Sequence, residues 1–410
     1  MKNSWEGQEN RWMVILGTVI VQIGLGTFYT WSLFNQSLSK QFGWQVSAVA
    51  LTFSIGSFAL SFSTLFAGKL QDKLGIRKLS TICGFILGIG LILTSKVTSL
   101  AALYITAGVI LGASDGIGYI TTLSNAIKWF PEKKGLISGI SVGAYGIGSL
   151  VFKYVNGGIM SAQGTSQAFM WWGIIAIVLI VAGSQLLKDA PVDPVKNLGI
   201  STETAEEVNF SRLDMLKTKE VYLLFVTFFT GAMSGLYMIG SVKDIGMQLA
   251  GLSAATAANA VALVAIFNTA GRIILGTLSD KIGALRVVTL TLIVTAAAVF
   301  IMSDVHLSFG IFFVCVSAIA FCFGGTVTVY PSIVGNFFGL RNQTRNYGLI
   351  YQGFGIGALS GSFISALLGG FKPTFLFIGV LCLISAVIST VVKPPKKAKE
   401  TFVNPKKNAA

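Results

Sequence analysis

Three ionisable side chains stand inside long apolar stretches of the sequence: Asp115, Lys153 and Arg272. A charge at the centre of a membrane-spanning helix costs roughly 2.5 to 3.5 kcal/mol on insertion scales, so each needs a partner, water or a task. Arg272 is the strongest candidate for a task. A guanidinium stays charged, and its planar fork meets a carboxylate through two parallel hydrogen bonds. The competing reading is an ion pair between helices or a gate at the inner face. Asn268 lies one helical turn earlier on the same face, where it can orient the guanidinium, touch a ligand or bond a neighbouring helix. Asp115, in Gly112-Ala-Ser-Asp-Gly-Ile-Gly-Tyr119, can take up and release a proton in a low-dielectric cavity, or serve as a neutral hydrogen-bond donor in helix packing. Lys153 falls about 27 Å along its helix from the inner start, close enough to the outer surface to snorkel; anion attraction at an outer mouth is its second reading. Tyr29, Tyr119, Tyr145, Tyr330 and Tyr351 offer hydroxyls to carboxylate oxygens and rings to an alkyl tail, and Phe354 a ring alone.

Enzyme chemistry is not expected. The single histidine, His306, and one deep acid make no nucleophile–base–orienter set. Cys83, Cys315, Cys322 and Cys382 lie in apolar stretches without metal-ligand spacing and read as small packing residues. Neither a metal nor a cofactor is expected.

The elements that carry these residues follow from composition. The chain has 410 residues, 53% hydrophobic and only 11% charged, with a mean hydropathy of +0.75. A soluble domain is about a quarter charged, so disorder, nucleic-acid binding and disulfide scaffolds are excluded, and an all-α membrane protein is expected. Twelve apolar spans are read near 12–34, 46–67, 79–95, 100–127, 136–158, 168–187, 220–242, 254–277, 287–303, 308–334, 346–369 and 373–392. The polar stretch Lys188 to Lys219, with Pro191 and Pro194, divides them six and six. The expected organisation is a six-helix bundle over 1–187, a cytoplasmic linker over 188–219, a second six-helix bundle over 220–392 and a basic cytoplasmic tail over 393–410. Net charge is +14, and 24 of the 30 Lys and Arg fall in the loops and tails on one side. Cytoplasmic loops accumulate such residues, which places both termini in the cytoplasm and the protein in the cell inner (plasma) membrane. Small pairs four residues apart, Gly84/Gly88, Gly112/Gly116, Gly139/Gly143, Gly353/Gly357 and Gly357/Gly361, allow close helix contact and surfaces for sliding.

The two halves repeat. Gly68-Lys-Leu-Gln-Asp72-Lys73-Leu-Gly75-Ile-Arg77 after span 2 recurs as Gly276-Thr-Leu-Ser-Asp280-Lys281-Ile-Gly283 after span 8, and Tyr145-Gly-Ile-Gly in span 5 recurs as Phe354-Gly-Ile-Gly in span 11. Parallel six-helix repeats are the arrangement of a rocking transporter with its site between the halves near the midplane. The Gly68 to Lys78 stretch resembles the loop 2–3 motif of the major facilitator superfamily, with a partial copy in loop 8–9. In it Gly68 lets helices approach, and Asp72 with its basic neighbours forms ion pairs that close the inner face in one state. Lys128-Trp-Phe-Pro-Glu-Lys-Lys-Gly135, Phe28-Tyr-Thr-Trp31, Asn268-Thr-Ala-Gly-Arg272 and Arg345-Asn-Tyr-Gly348 are similar to the oxalate:formate antiporter and monocarboxylate transporter branch. That resemblance implies two pseudo-symmetric six-helix bundles and an arginine at 272 that binds the substrate carboxylate, with Tyr119 and Tyr351 on pore-lining helices.

The expected function is alternating-access transport of a small monocarboxylate of the lactate, pyruvate or formate type, by proton symport. The alternatives are an oxalate:formate-type antiporter that exchanges counter-anions and, in another class, a carboxylate sensor with a transporter-like fold. Dicarboxylate carriers of the branch are expected to place a second cation on span 11. Here Asn346 to Gly355 holds none, which favours one carboxylate and puts oxalate in doubt. The orientation has a direct test: alkaline phosphatase fused after Lys243 is expected to be active and after Lys281 inactive, and the reverse pattern would overturn it.

Overall fold

The computed structural model describes residues 4–190, 209–304 and 307–395. The expected linker 188–219 is therefore seen only at its two ends, and the expected tail 393–410 only at its start; their remaining residues lie outside the described ones.

A backbone in lipid must satisfy its own polar groups, and helices do so internally. Span 1 runs from Ser4–Leu25 through a tight 3-10 segment, Gly26–Leu33, and a short helix Asn35–Phe42 follows it. Span 2 is Val46–Leu74 and span 3 Ile76–Thr94. Span 4 is Leu100–Leu103 continuing through a π-helical segment Tyr104–Ile110 into Leu111–Trp129. Spans 5 and 6 are Lys134–Gln163 and Thr165–Gln185, and a one-turn helix, Arg212–Leu216, precedes span 7, Lys219–Leu249. Spans 8, 9 and 10 are Ala254–Ile282, Ala284–Asp304 and Phe309–Phe338; span 12 is Phe371–Val391.

Eleven of these are unbroken and apolar enough to cross a bilayer. Span 11 departs from the continuous 346–369 expected from sequence: it is two helices, Gln343–Ile350 and Gln352–Leu368, joined at Tyr351. The join holds because side chains take up carbonyls there. Ser61 of span 2 donates to the Tyr351 carbonyl at 2.9 Å, Thr64 to the Gly348 carbonyl at 3.2 Å, and Gln352 to the carbonyls of Ser61 and Gly348 at 2.8 Å each.

Polarity is inverted relative to a soluble bundle. Ile82, Phe85, Ile86, Ile89 and Leu93 form an exposed apolar stripe on span 3, and Leu376, Phe377, Val380, Leu383, Ile384 and Val387 one on span 12. Lipid tails are as apolar as these side chains, so buried faces gain instead from close backbone approach and polar bonds. A Cβ on Gly112 would meet the Gly56 carbonyl oxygen, one on Gly116 the Leu60 carbonyl, and one on Gly148 the Ile23 carbonyl. The four cysteines are buried and free, as their apolar surroundings suggested.

Spans 1–6 pack among themselves, as do spans 7–12; span 5 meets spans 8 and 10, and span 11 meets spans 2 and 4. At the span 5–span 8 contact, Gly135, Gly139, Gly143 and Gly146 lie against Gly276, Arg272, Ile273 and Thr269. The pair Gly139/Gly143 thus sits on the surface between the two sets.

The end that carries the repeated loop motif is shut. Arg345 pairs with Asp72, and an added Cβ on Gly68 would collide with the Arg345 side chain. Thr344 donates to Gln71 at 3.0 Å, and Arg212 donates to the carbonyls of Leu65 and Arg345. Asp72 has its partner, Arg345, on the other helix set, while Arg77 donates to the Leu187 carbonyl and Lys73 is exposed. Gly75 ends span 2 at φ +73°, a turn that only glycine makes without strain. The Asp280 carboxylate accepts from the backbone N–H groups of Gly135 and Leu136 at 2.7 and 2.8 Å, at the N-terminus of span 5 where the helix dipole favours an anion; Lys281 is exposed. Among the described residues, no hydrogen bond joins the two sets at the opposite end.

Overpacking a helix contact costs about 1 to 3 kcal/mol. Gly148→Ala is therefore expected to lower the melting temperature in detergent, whereas Gly157→Ala, with nothing within 4 Å of the added carbon, should leave it unchanged. Equal behaviour of the two variants would contradict this packing.

Candidate functional site

Span 8 brings Arg272 to the surface between the helix sets, where it is 3% exposed. Its Nε donates to Asn268 Oδ1 at 2.8 Å, the one-turn spacing read from the sequence. Its Nη1 crosses to span 5 and donates to the Val142 carbonyl at 2.7 Å. The glycines of span 5 allow this reach by letting span 8 lie close. Asn268 is fixed in turn by donating to the Ala320 carbonyl at 3.4 Å. Among the described residues no carboxylate pairs with Arg272; the guanidinium faces the Tyr29 hydroxyl.

Four helices supply a continuous run of phenol rings beside it. Tyr29 of span 1 meets Tyr145 of span 5 edge-on at 5.4 Å between centroids, and Tyr145 meets Tyr119 of span 4 at 5.4 Å. Tyr119 meets Tyr351 of span 11 at 5.5 Å, and Tyr351 stacks on Phe354 at 5.0 Å. The break in span 11 falls at Tyr351, within this run. Asp115 is fully buried; its Oδ2 accepts from the Tyr145 hydroxyl at 2.7 Å, and Oδ1 has no hydrogen-bond partner. Tyr145 and Tyr29 thus stand between the acid and the cation, which are not locked together.

The structure brings together Arg272, Asn268, Asp115, Tyr29, Tyr119, Tyr145, Tyr351 and Phe354 of the residues singled out from sequence. Tyr330 is elsewhere: its hydroxyl donates to Thr227 at 2.7 Å and its ring lies on Phe228. Lys153 is half-buried, about 12 Å along span 5 from Tyr145, and takes no part in the cluster. Gly68, Asp72, Lys73, Gly75, Arg77, Asp280 and Lys281 stand apart at the closed end. Sequence reading missed Tyr347, whose ring meets Tyr351 at 5.4 Å; the four-residue spacing of Tyr347 and Tyr351 was the available signal. The Val142 carbonyl carried no signal, because any residue type supplies one.

The arrangement offers one fixed cation, several phenol donors and one acid that can hold a proton, with no ordered nucleophile. It can bind a small anion and release it unchanged.

Comparison with known proteins agrees. A family model described as Major Facilitator Superfamily matches residues 15–258 and 223–409. The chain is 43% identical over 352 residues to the uncharacterized MFS-type transporter YhjX of Escherichia coli (strain K12), covering 86% of this chain and 87% of that one. It is 26% identical over 404 residues to the oxalate:formate antiporter of Oxalobacter formigenes, covering 96% and 95%, and 23% identical over 386 residues to monocarboxylate transporter 13 of Rattus norvegicus, covering 91% and 86%. Its fold matches the proton:xylose symporter XylE with a TM-score of 0.71 at 14% identity, over 93% of this chain and 95% of that one. The chain belongs to the major facilitator superfamily, in the branch of the oxalate:formate antiporter and the monocarboxylate transporters, and is a transporter, not an enzyme.

Proposed function

We propose that the protein is a secondary active carrier of small monocarboxylates, of the lactate, pyruvate or formate type, coupled to protons in the cell inner membrane with both termini cytoplasmic. The observation that carries this reading is Arg272: a buried, permanently charged fork at the junction of the helix sets, with neutral partners only among the described residues. A carboxylate supplies the missing charge and two acceptors in one plane. Similarity to the Oxalobacter oxalate:formate antiporter and the rat monocarboxylate transporter supports the substrate class.

Charge balance limits the cargo. Arg272 is the single cation in the cluster, and the helix pair 343–368 contributes Arg345 only at its closed end. One carboxylate neutralises Arg272. Two anions, the substrate and an ionised Asp115, would leave the site one negative charge in excess, and a proton taken up with the substrate removes it. Tyr145, bonded to Asp115 and touching Tyr29, links the acid to the anion berth.

In the mechanism, the carboxylate enters from the end opposite the Asp72–Arg345 pair and binds Arg272, with the tyrosines of both helix sets closing around it. Neutralising the guanidinium lowers the cost of burying the site while the halves rock. The Asp72–Arg345 pair, exposed enough to be worth about 0 to 1 kcal/mol, then opens the other end at small cost.

Two experiments test this reading. In proteoliposome counterflow with labelled lactate, formate and oxalate, Arg272→Gln should lower monocarboxylate exchange by about 10- to 100-fold, as expected for a charge-assisted bond. Oxalate exchange at the rate of lactate would overturn the charge argument. For coupling, wild-type uptake should rise as outside pH falls and Asp115→Asn should flatten that dependence. An unchanged pH profile would remove Asp115 as the carrier, and uptake that requires an internal counter-anion would establish exchange.

A further inference from the structure

At the motif-bearing end the helix sets enclose a cavity of about 350 Å³ that shares no residue with the Arg272 cluster. Asp72, Lys128 and Asp189 line it from the first set, Arg341 and Arg345 from the second. Three cations therefore face two acids, and both acids are already engaged. Asp72 pairs with Arg345. Asp189 Oδ1 accepts from the Ile76 N–H at 3.0 Å, at the N-terminus of span 3, where the helix dipole favours a negative charge. Lys128 and Arg341 are left over. The Lys128 ammonium donates to the Arg341 carbonyl at 3.3 Å, and among the described residues no carboxylate pairs with it. Arg341 is exposed; its main-chain groups are bonded to Lys128 and Asn209, whereas its guanidinium makes no hydrogen bond or ion pair among the described residues.

Two unmatched cations on one cavity, one from each helix set, suit an anion rather than a neutral solute. A water takes about 30 Å³ of liquid volume, so the cavity has room for a small oxyanion with part of its hydration shell. The guanidinium fork bonds a phosphate or a carboxylate through two parallel N–H donors, and the lysine adds a point charge. We infer that this cavity binds a small oxyanion between Lys128 and Arg341, and that the bound anion holds the motif-bearing end shut. Opening that end carries Arg341 away from span 4 with its helix set, so the anion has both cations within reach only in the closed state. A ligand shifts an equilibrium by its differential affinity for the two states, and one that bridges the sets favours closure and slows transport. The oxyanion has two sources: inorganic phosphate on that side of the membrane, or a carboxylate that the carrier has just released.

The probes are sodium phosphate and sodium pyruvate, each compared with sodium chloride at equal ionic strength so that screening is the same. Purified protein in detergent should melt at a higher temperature in phosphate than in chloride. Arg341→Gln should melt like wild type in chloride and lose the gain in phosphate; Lys128→Gln should lose it too. In proteoliposomes with phosphate on both faces, wild-type uptake of labelled lactate should fall about 5-fold, and Arg341→Gln should run at the wild-type chloride rate in either salt. The source is read in Arg272→Gln, which lacks the central berth. A gain with pyruvate that Arg341→Gln removes from that background supports the site and names the released cargo, and a gain with phosphate alone supports it and names the inorganic ion. The inference is overturned if phosphate gives wild type no gain over chloride, or if the gain or the slowing survives Arg341→Gln. A gain that vanishes in Arg272→Gln also overturns it, because the anion then sits at the central cluster, as does stabilisation that leaves uptake unchanged. Melting needs no transport, so it decides the site even where lactate is not carried, an outcome that counts against the carboxylate reading of Arg272 alone.

Discussion

A permanently charged guanidinium stands at the junction of the two helix sets, almost fully buried, and the partners it has are an amide oxygen one turn back and a main-chain carbonyl on span 5. A neutral acceptor satisfies a proton but not a charge. Burying an unbalanced cation costs several kcal/mol even after relaxation, so the surroundings must either admit water or await an anion. The glycines of span 5 that let Arg272 reach Val142, the phenols that line the approach and the break in span 11 at Tyr351 all gather at this one position.

The same surface has two kinds of contact, and they suit opposite tasks. Spans 5 and 8 touch through glycines, with Arg272 bonded to the Val142 carbonyl and Asp280 to the N–H groups of Gly135 and Leu136 across the contact. Spans 2 and 11 are hooked together at the Tyr351 join, Ser61 donating to the Tyr351 carbonyl and Gln352 to the Ser61 carbonyl. Beyond them, Arg345 with Asp72 and Arg212 with Leu65 hold the motif-bearing end shut. The described conformation is closed at that end, and the bonds that close it are mostly exposed or singly made. Such bonds are individually weak, which is what a gate that must open in every cycle requires.

Much of this was legible in the sequence, for identifiable reasons. Hydropathy shows the spans because lipid demands unbroken apolar helices, and the repeat of Asp72 at Asp280 shows the duplication. Arg272 and Asn268 were legible together because one helical turn fixes their relation whatever else surrounds them. The motif's partners were not. Asp72 bonds Arg345, more than 270 positions away, and Asp280 bonds backbone N–H groups that carry no side-chain signature. Span 11 read as one helix because hydropathy is blind to a join made by Ser61, Thr64 and Gln352. Tyr347 was not singled out, and packing shows it to be fully buried beside Tyr351.

The most direct measurement is a high-resolution structure of the protein in lipid with pyruvate bound. A carboxylate oxygen at about 2.8 Å from the Arg272 guanidinium is the result expected. Density for the acid elsewhere, with Arg272 still held only by Asn268 and Val142 or paired to a protein acid, would contradict the assignment of this arginine as the anion's berth.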